Sequence, residues 1–182
     1  MWNKNNFLGL RLIVMLLAIL IIGFYFFYFK TQGDDYYNKG GSYYLVDQDN
    51  VGAGGYDVTE YFTSHKAVKG DPRYSYKYDE VIYLFANEQN KSLFTNQPGQ
   101  YLPQYGGYCA FGLGIEVGEG VGDNKPGKYP STPTSFKIID NKLYLFHDSQ
   151  YFRAKEKWEQ DEPRYLLQSQ KAWETIHPEQ RN

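Results

Sequence analysis

The sequence contains one cysteine in 182 residues, so no disulfide can form within the chain and a disulfide-stapled fold is excluded. The paired C-x-x-C spacing of structural zinc sites is absent for the same reason. Only two methionines occur, Met1 and Met15, and both lie near the N-terminus. A thioether copper site in the remainder of the chain is therefore excluded. There is also no basic run, since 19 Lys and Arg stand against 21 Asp and Glu, and no nucleic-acid partner is expected.

One long apolar run is present, at residues 12–29 with the sequence LIVMLLAILIIGFYFFYF. About 20 such residues cross the hydrocarbon core of a bilayer. Lys4 and Arg11 precede the run and two acids follow it, an asymmetry that places the N-terminus in the cytoplasm. A cleaved signal peptide is the alternative, but the run is long for one and no small-residue cleavage site follows. The sequence predicts a single-pass signal anchor in the cytoplasmic (inner) membrane, with the C-terminal domain on the extracytoplasmic, periplasmic side.

Four segments follow from this interpretation. Residues 1–30 are the predicted transmembrane helix with a short cytoplasmic flank, and residues 31–54, rich in Gly, Asp and Asn, are a linker. Residues 55–176 are enough for one domain with its own core. Residues 177–182 form a polar tail.

The fold class predicted for the domain is α+β, with antiparallel β-hairpins covered by helices. One hairpin turns at Asp79-Glu80 and the other at Asp140-Asn141, and each is followed by a helical pattern. This loose echo of hairpin and helix is the only internal repeat that the pattern indicates. Residues 112–134 form a long glycine-rich loop that lacks the spacing of a phosphate cradle, so it predicts flexibility and not nucleotide binding.

The most unusual segment is YLPQYGGYCAF, residues 101–111, which brings a thiol, three tyrosines and paired glycines together. Gly106 and Gly107 allow a positive φ or the close approach of another chain segment. Cys109 is either a small buried apolar residue or a reactive or metal-binding thiolate. A thiolate needs a cation, a metal or a helix N-terminus nearby, and no Lys, Arg or His occurs in this segment.

His147, at the end of a predicted strand, is the best metal-binding partner for Cys109. With a carboxylate, the two could hold a copper or zinc ion. The same pair is the minimal constellation for a thiol-dependent enzyme. His65 lies in a polar turn, where we expect it in solvent, and His177 lies next to Pro178 in the polar tail, where we expect it to be incidental.

Several motifs together resemble the YHS domain-containing proteins: GGYDVTEYF, YLPQYGGYCAF and KLYLF, in this order. The likeness is to the bacterial, exported or membrane-anchored group with a Y-G-G-Y-C-A motif, and it covers about residues 54–173. It implies a small α+β domain and, for the wider superfamily, a role with heavy metals. The metal-associated relatives use paired cysteines, whereas Cys109 stands alone here, and Asn141 replaces the usual glycine before K-L-Y-L. The group offers no established enzymatic activity to transfer.

The sequence therefore predicts a membrane-anchored binding module more than an enzyme. The pocket would take a metal ion or small ligand, and its walls would come from six residues: Tyr56, Asp57, Tyr61, Tyr105, Tyr108 and Cys109. For Asp57 the alternative is a capping box with Glu60 at the start of a short helix. Two other functions remain open, an interaction module held near a membrane-protein complex without a small-molecule site, and a thiol-dependent enzyme.

Overall fold

The structure is a computed structural model, and it describes residues 13–25, 43–116, 118–120 and 126–177. The chain divides into two units, Met1–Gly41 and Ser42–Asn182. In the first unit, residues 13–25 form a helix, α1. The predicted cytoplasmic flank, most of the predicted linker and the tail beyond His177 lie outside the described residues.

The predicted membrane anchor is wrong. A helix that crosses the roughly 30 Å core of a bilayer needs about 20 apolar residues at 1.5 Å each. None of the helices in the described part of the chain is both long and apolar enough to do so. The single-pass anchor in the cytoplasmic membrane, and the extracytoplasmic location deduced from it, are not supported by the structure.

The second unit is α+β with two antiparallel hairpins, as predicted. β1 (Asp71–Tyr78) pairs with β2 (Val81–Phe85), and β3 (Thr132–Ile139) pairs with β4 (Lys142–Phe146), in two separate two-stranded sheets. The helices of this unit are α2 (Glu60–Thr63), α3 (Glu88–Asn96), α4 (Pro98–Tyr101), α5 (Ala110–Gly114), α6 (Ala154–Glu159) and α7 (Glu162–Ile176).

Both hairpins turn through two residues in the left-handed region. The φ values are 45° and 70° at Asp79 and Glu80, and 49° and 59° at Asp140 and Asn141. Positive φ at both central positions defines a type I′ turn, whose twist matches that of the flanking strands. The longer strand of each hairpin is also irregular at the same place, because the register shifts between its first and fifth residues.

This unit contains a structural repeat that is more extensive than the predicted echo of hairpin and helix. The first repeat has a turn at Ala53–Gly55 and the hairpin β1–β2, and the second has a turn at residues 105–107 and the hairpin β3–β4. The segments Ala53–Gly55 and residues 105–107 each place three successive residues at positive φ. In each, the N–H of the next residue, Tyr56 or Tyr108, closes the turn at 3.1 Å on the carbonyl three residues back. The sequence signal for this repeat is the tripeptide Gly-Gly-Tyr, which occurs at residues 54–56 and 106–108.

Equivalent contacts join each of these turns to its hairpin. Val51 forms a parallel bridge with Ile82, and Pro103 forms one with Leu143. The residue after each Gly-Gly-Tyr donates its N–H to a loop carbonyl: Asp57 to Val68 at 2.9 Å and Cys109 to Tyr129 at 2.8 Å. Asp57 and Cys109 therefore occupy equivalent places in the two repeats.

Buried side chains form three clusters in the second unit. One surrounds α5, β4 and the C-terminal helices and includes the fully buried Trp158. A second lies between β2 and α3. The third joins the two repeats, because Tyr61 of the first packs against Leu143 and Leu145 of the second.

Candidate functional site

Cys109 lies in the core, where 2% of its surface is exposed, and it immediately precedes the short helix α5. The main-chain N–H of His147 donates to its Sγ at 3.2 Å, and the N–H groups of Phe111 and Gly112 also hydrogen-bond to the sulfur. Burial outweighs these bonds and raises the pKa of the thiol to about 11. The thiol is therefore protonated at neutral pH and links α5 to the end of β4.

The structure brings Cys109 and His147 together through the main chain of His147. A metal ion needs several side-chain ligands, such as thiolates, imidazoles and carboxylates, around one point. In the residues that the structure describes, no group of three or more His, Cys, Asp and Glu side chains could hold a metal ion. The geometry therefore supplies no ligand set for copper or zinc at Cys109.

Asp57 is completely buried, and its carboxylate accepts four hydrogen bonds. Oδ1 accepts the N–H of Thr59 at 2.9 Å and its hydroxyl at 2.7 Å, while Oδ2 accepts the N–H of Ala86 and the Nδ2 of Asn90, both at 2.7 Å. The predicted capping box does not form, because Glu60 instead accepts a bond from Asn90 at 2.6 Å. With its acceptor positions occupied, Asp57 joins α2, β2 and α3 and is not available to a ligand.

The remaining tyrosines of the predicted pocket also serve contacts within the fold. Tyr61 is fully buried and donates its hydroxyl to the Pro133 carbonyl at 2.8 Å. The Nζ of Lys69 lies 4.2 Å from the centre of the Tyr56 ring. Tyr108 packs with Tyr105 and Cys109 in one buried cluster, whereas Tyr61 belongs to another. The six predicted residues therefore do not surround one pocket.

A cavity of about 590 Å³ lies beside the Y-G-G-Y segment and reaches only one of the six, Tyr105. We call it the aromatic cleft. The side chains that define its character are Tyr43, Tyr44, Tyr105, Trp173, Glu174 and His177.

Gly106 creates this cleft by letting residues 43–45 cross the motif. A Cβ at Gly106, where φ is 61°, would lie 1.9 Å from the carbonyl oxygen of Tyr43. The N–H of Leu45 donates to the carbonyl of Gly106 at 2.8 Å. The prediction that the paired glycines take positive φ and admit another segment is confirmed, and that segment carries Tyr43 and Tyr44 to the cleft.

Three rings form one continuous aromatic wall. The ring centroid of Trp173 lies 4.9 Å from that of Tyr43 and 4.4 Å from that of His177, and the last two are 5.0 Å apart. Tyr105 extends the wall, with its centroid 5.8 Å from that of Trp173. Tilted and edge-to-face contacts of this kind are favourable for aromatic rings and hold the wall in place.

A hydrogen bond to α7 holds the hydroxyl of Tyr105. Its hydroxyl lies 2.9 Å from the Oγ of Ser169, which itself donates to the carbonyl of Leu166 at 3.1 Å. Since the Ser169 hydroxyl has a single hydrogen, Tyr105 is the donor in this pair. Burial raises the pKa of Tyr105, so the phenol is neutral and its polar end is already engaged.

The charge of the cleft comes from Glu174. Among the described residues that line it, this glutamate is the only one with a formally charged acidic or basic side chain, apart from the titratable His177. The amide of Gln170 donates to its Oε1 at 2.8 Å. No ion pair joins Glu174 to a described lysine or arginine.

Sequence reasoning missed three members of this site. Tyr43 fell in the predicted linker, Trp173 on the buried face of the last helix, and His177 in the polar tail. His177, expected to be incidental, is buried, with 7% of its surface exposed. The glycine pair indicated that something packs against the motif, but no local pattern identified the segment.

Comparison of the chain with protein-family models, with curated proteins and with solved structures found no match. The resemblance to YHS domain-containing proteins stays a prediction from the motifs. Function is therefore inferred from the geometry of the aromatic cleft.

Proposed function

We propose that this protein is a YHS-like binding module that takes a small organic ligand in the aromatic cleft. One observation carries the proposal: a cavity of about 590 Å³, walled by packed rings, lies directly against the most distinctive sequence segment. Ligand sites are typically concave, of about 300–1,000 Å³, and lined by aromatic side chains with a few polar groups.

The polar groups of the cleft suit recognition. Gln104, Gln170 and Glu174 lie at its lining, where amide and carboxylate groups orient a ligand against the rings. The thiol that a cysteine-dependent reaction would use is in the core, protonated and hydrogen-bonded to the main chain. Binding is therefore better supported than thiol catalysis.

A fragment titration followed by NMR of the main-chain amides tests this function. Fragments that bind should shift signals of residues 43–44, 104–105 and 170–177 together. Gln170→Trp, at an exposed position on the cleft, should weaken binding at least tenfold by filling the cavity. Lys171→Trp, the next and equally exposed residue, does not line the cleft and should leave binding unchanged.

The proposal fails if fragments bind elsewhere on the domain, or if Gln170→Trp binds them as tightly as Lys171→Trp. Circular dichroism on both variants separates a blocked cleft from a damaged fold. Failure to find any fragment that shifts the cleft signals at millimolar concentration also counts against it.

A further inference from the structure

We infer that the ligand of the aromatic cleft carries a compact organic cation, such as an alkylated ammonium group. This rests on the proposed function and adds the chemical class of the ligand. Two independent features of the lining point the same way, the faces of its rings and the sign of its charge.

The rings come first. Aromatic faces carry negative electrostatic potential and attract cations, with indole the strongest. Trp173 lies at the centre of the wall, in contact with the rings of Tyr43, His177 and Tyr105. The hydroxyl of Tyr105 is engaged by Ser169 and only 4% of this residue is exposed, so Tyr105 supports the wall and offers the ligand no hydroxyl. The partly exposed rings of Tyr43 and Tyr44 also line the cleft, so ring surface is available to a ligand there.

The charge comes second. Glu174 brings one carboxylate to the lining, and no lysine or arginine among the described residues lines the cleft with it. Its side-chain hydrogen bond within α7 comes from Gln170, which is neutral and adds no positive charge. A neutral ligand without a hydrogen-bond donor would remove water from this carboxylate without replacing it, and an anion would be repelled. A cation satisfies the carboxylate and the rings together.

The surroundings distinguish this carboxylate from three other acids of the unit. Glu119 and Glu162 hold Arg164 and Lys137 in ion pairs. Asp57 is saturated by four donors. Glu174 combines a position at a cavity, a neutral hydrogen-bond partner and an adjacent aromatic wall.

A matched series of three probes tests the inference at pH 8, where an ordinary histidine is neutral. The probes are choline, its uncharged carbon analogue 3,3-dimethylbutan-1-ol, and the anion 3,3-dimethylbutanoate. Each is titrated into the full chain, and its dissociation constant is read from the amide signals of the cleft. We expect choline to bind at least tenfold more tightly than the alcohol, and the anion to bind most weakly.

Glu174→Gln should reduce the preference for choline over the alcohol at least fivefold while leaving the affinity for the alcohol nearly unchanged. Glu156→Gln, at an exposed position on α6 away from the cleft, is the matched control and should keep the preference. The affinity for choline should also fall as salt is raised, whereas that for the alcohol should not.

The outcomes distinguish the two proposals. If the alcohol binds in the cleft as tightly as choline, or if Glu174→Gln keeps the preference, the cation inference is overturned and the cleft remains a ligand site. The same holds if none of the three probes binds while other fragments shift the cleft signals. If no compound of any charge shifts those signals, both proposals fall.

Discussion

Asp57 and Cys109 fill the same place in the two repeats with different chemistry. The carboxylate of Asp57 accepts the N–H of Ala86, the residue after β2. The sulfur of Cys109 accepts the N–H of His147, the residue after β4. At both places an acceptor side chain ties the Gly-Gly-Tyr turn to the end of its hairpin, so a lone cysteine in a conspicuous motif is here part of the core.

The raised pKa of Cys109 has a measurable effect on stability. A thiol ionises near pH 9 in the unfolded chain, but burial holds its pKa at about 11 in the folded protein. Between these values the unfolded state loses a proton that the folded state keeps, so the free energy of unfolding falls as pH rises. The contribution of this one group is about 2–3 kcal/mol.

Cys109→Ala should remove this contribution. The free energy of unfolding is measured by urea titration at pH 8 and at pH 11. The decrease between these two pH values should be about 2–3 kcal/mol smaller in the variant than in the wild type. Cys109→Ser, which keeps an acceptor but does not titrate, should behave as the alanine variant does in this difference. Equal pH dependence in all three proteins would show that the thiol ionises freely in the folded state.

Two of the elements, the hairpins, were the easiest to predict. Alternating side chains and two-residue turns act within a few positions, so their signal survives in a single sequence. The hairpins that turn at Asp79-Glu80 and at Asp140-Asn141 both form as predicted. The predicted capping box at Asp57 does not form, because the N–H of Asp57 donates to Val68 and the carboxylate of Glu60 accepts from Asn90, partners that are distant in sequence.

The backbone of the turn between β1 and β2 is strained at Glu80, and a substitution can relieve this strain. Glu80 has a φ of 70°, which costs a non-glycine residue about 1–2 kcal/mol, and glycine is favoured at this place in a type I′ turn. Allowing for the greater freedom of glycine in the unfolded chain, Glu80→Gly should stabilise the protein by about 0.5–1 kcal/mol.

Thermal unfolding should show this as a melting temperature raised by about 2 °C. Lys171→Gly, at an exposed position inside α7, is the control and should cost about 1 kcal/mol because its backbone is helical. A lower melting temperature for Glu80→Gly would mean that the left-handed conformation is absent at this turn.

Over the whole molecule, the two repeats are joined through Tyr61. This side chain is fully buried, packs against Leu143 and Leu145, and donates its hydroxyl to Pro133. Because those partners all belong to the second repeat, the repeats should unfold as one cooperative unit.

Tyr61→Ala should destabilise the protein by about 3–5 kcal/mol, as truncation of a buried aromatic side chain does. In urea titrations followed by NMR, the midpoints for the amides of β2 and β4 should coincide in the wild type and fall together in the variant. Tyr151→Ala is the control, since Tyr151 is 89% exposed, and should change neither midpoint. A loss of β2 alone would show that the repeats are independent.

Contacts between residues that are far apart in the chain are also what the sequence could not predict. The aromatic cleft joins Tyr43, Tyr105 and Trp173, which lie far apart in the chain and carry no common pattern. The predicted anchor was wrong for a related reason. The apolar composition of residues 12–29 predicts one long helix, whereas no described helix is long and apolar enough to span a membrane.

The paired Gly-Gly-Tyr turns have a last consequence: the two repeats can be aligned with each other, position by position. Positions that are alike in both copies, the two glycines, the tyrosine and the Tyr-Leu-Phe that ends β2 and β4, are those that the shared architecture requires. Positions that differ, such as Asp57 against Cys109, meet the same structural need with different chemistry. Reciprocal exchange between the copies can therefore separate residues that maintain the fold from residues that serve only one site.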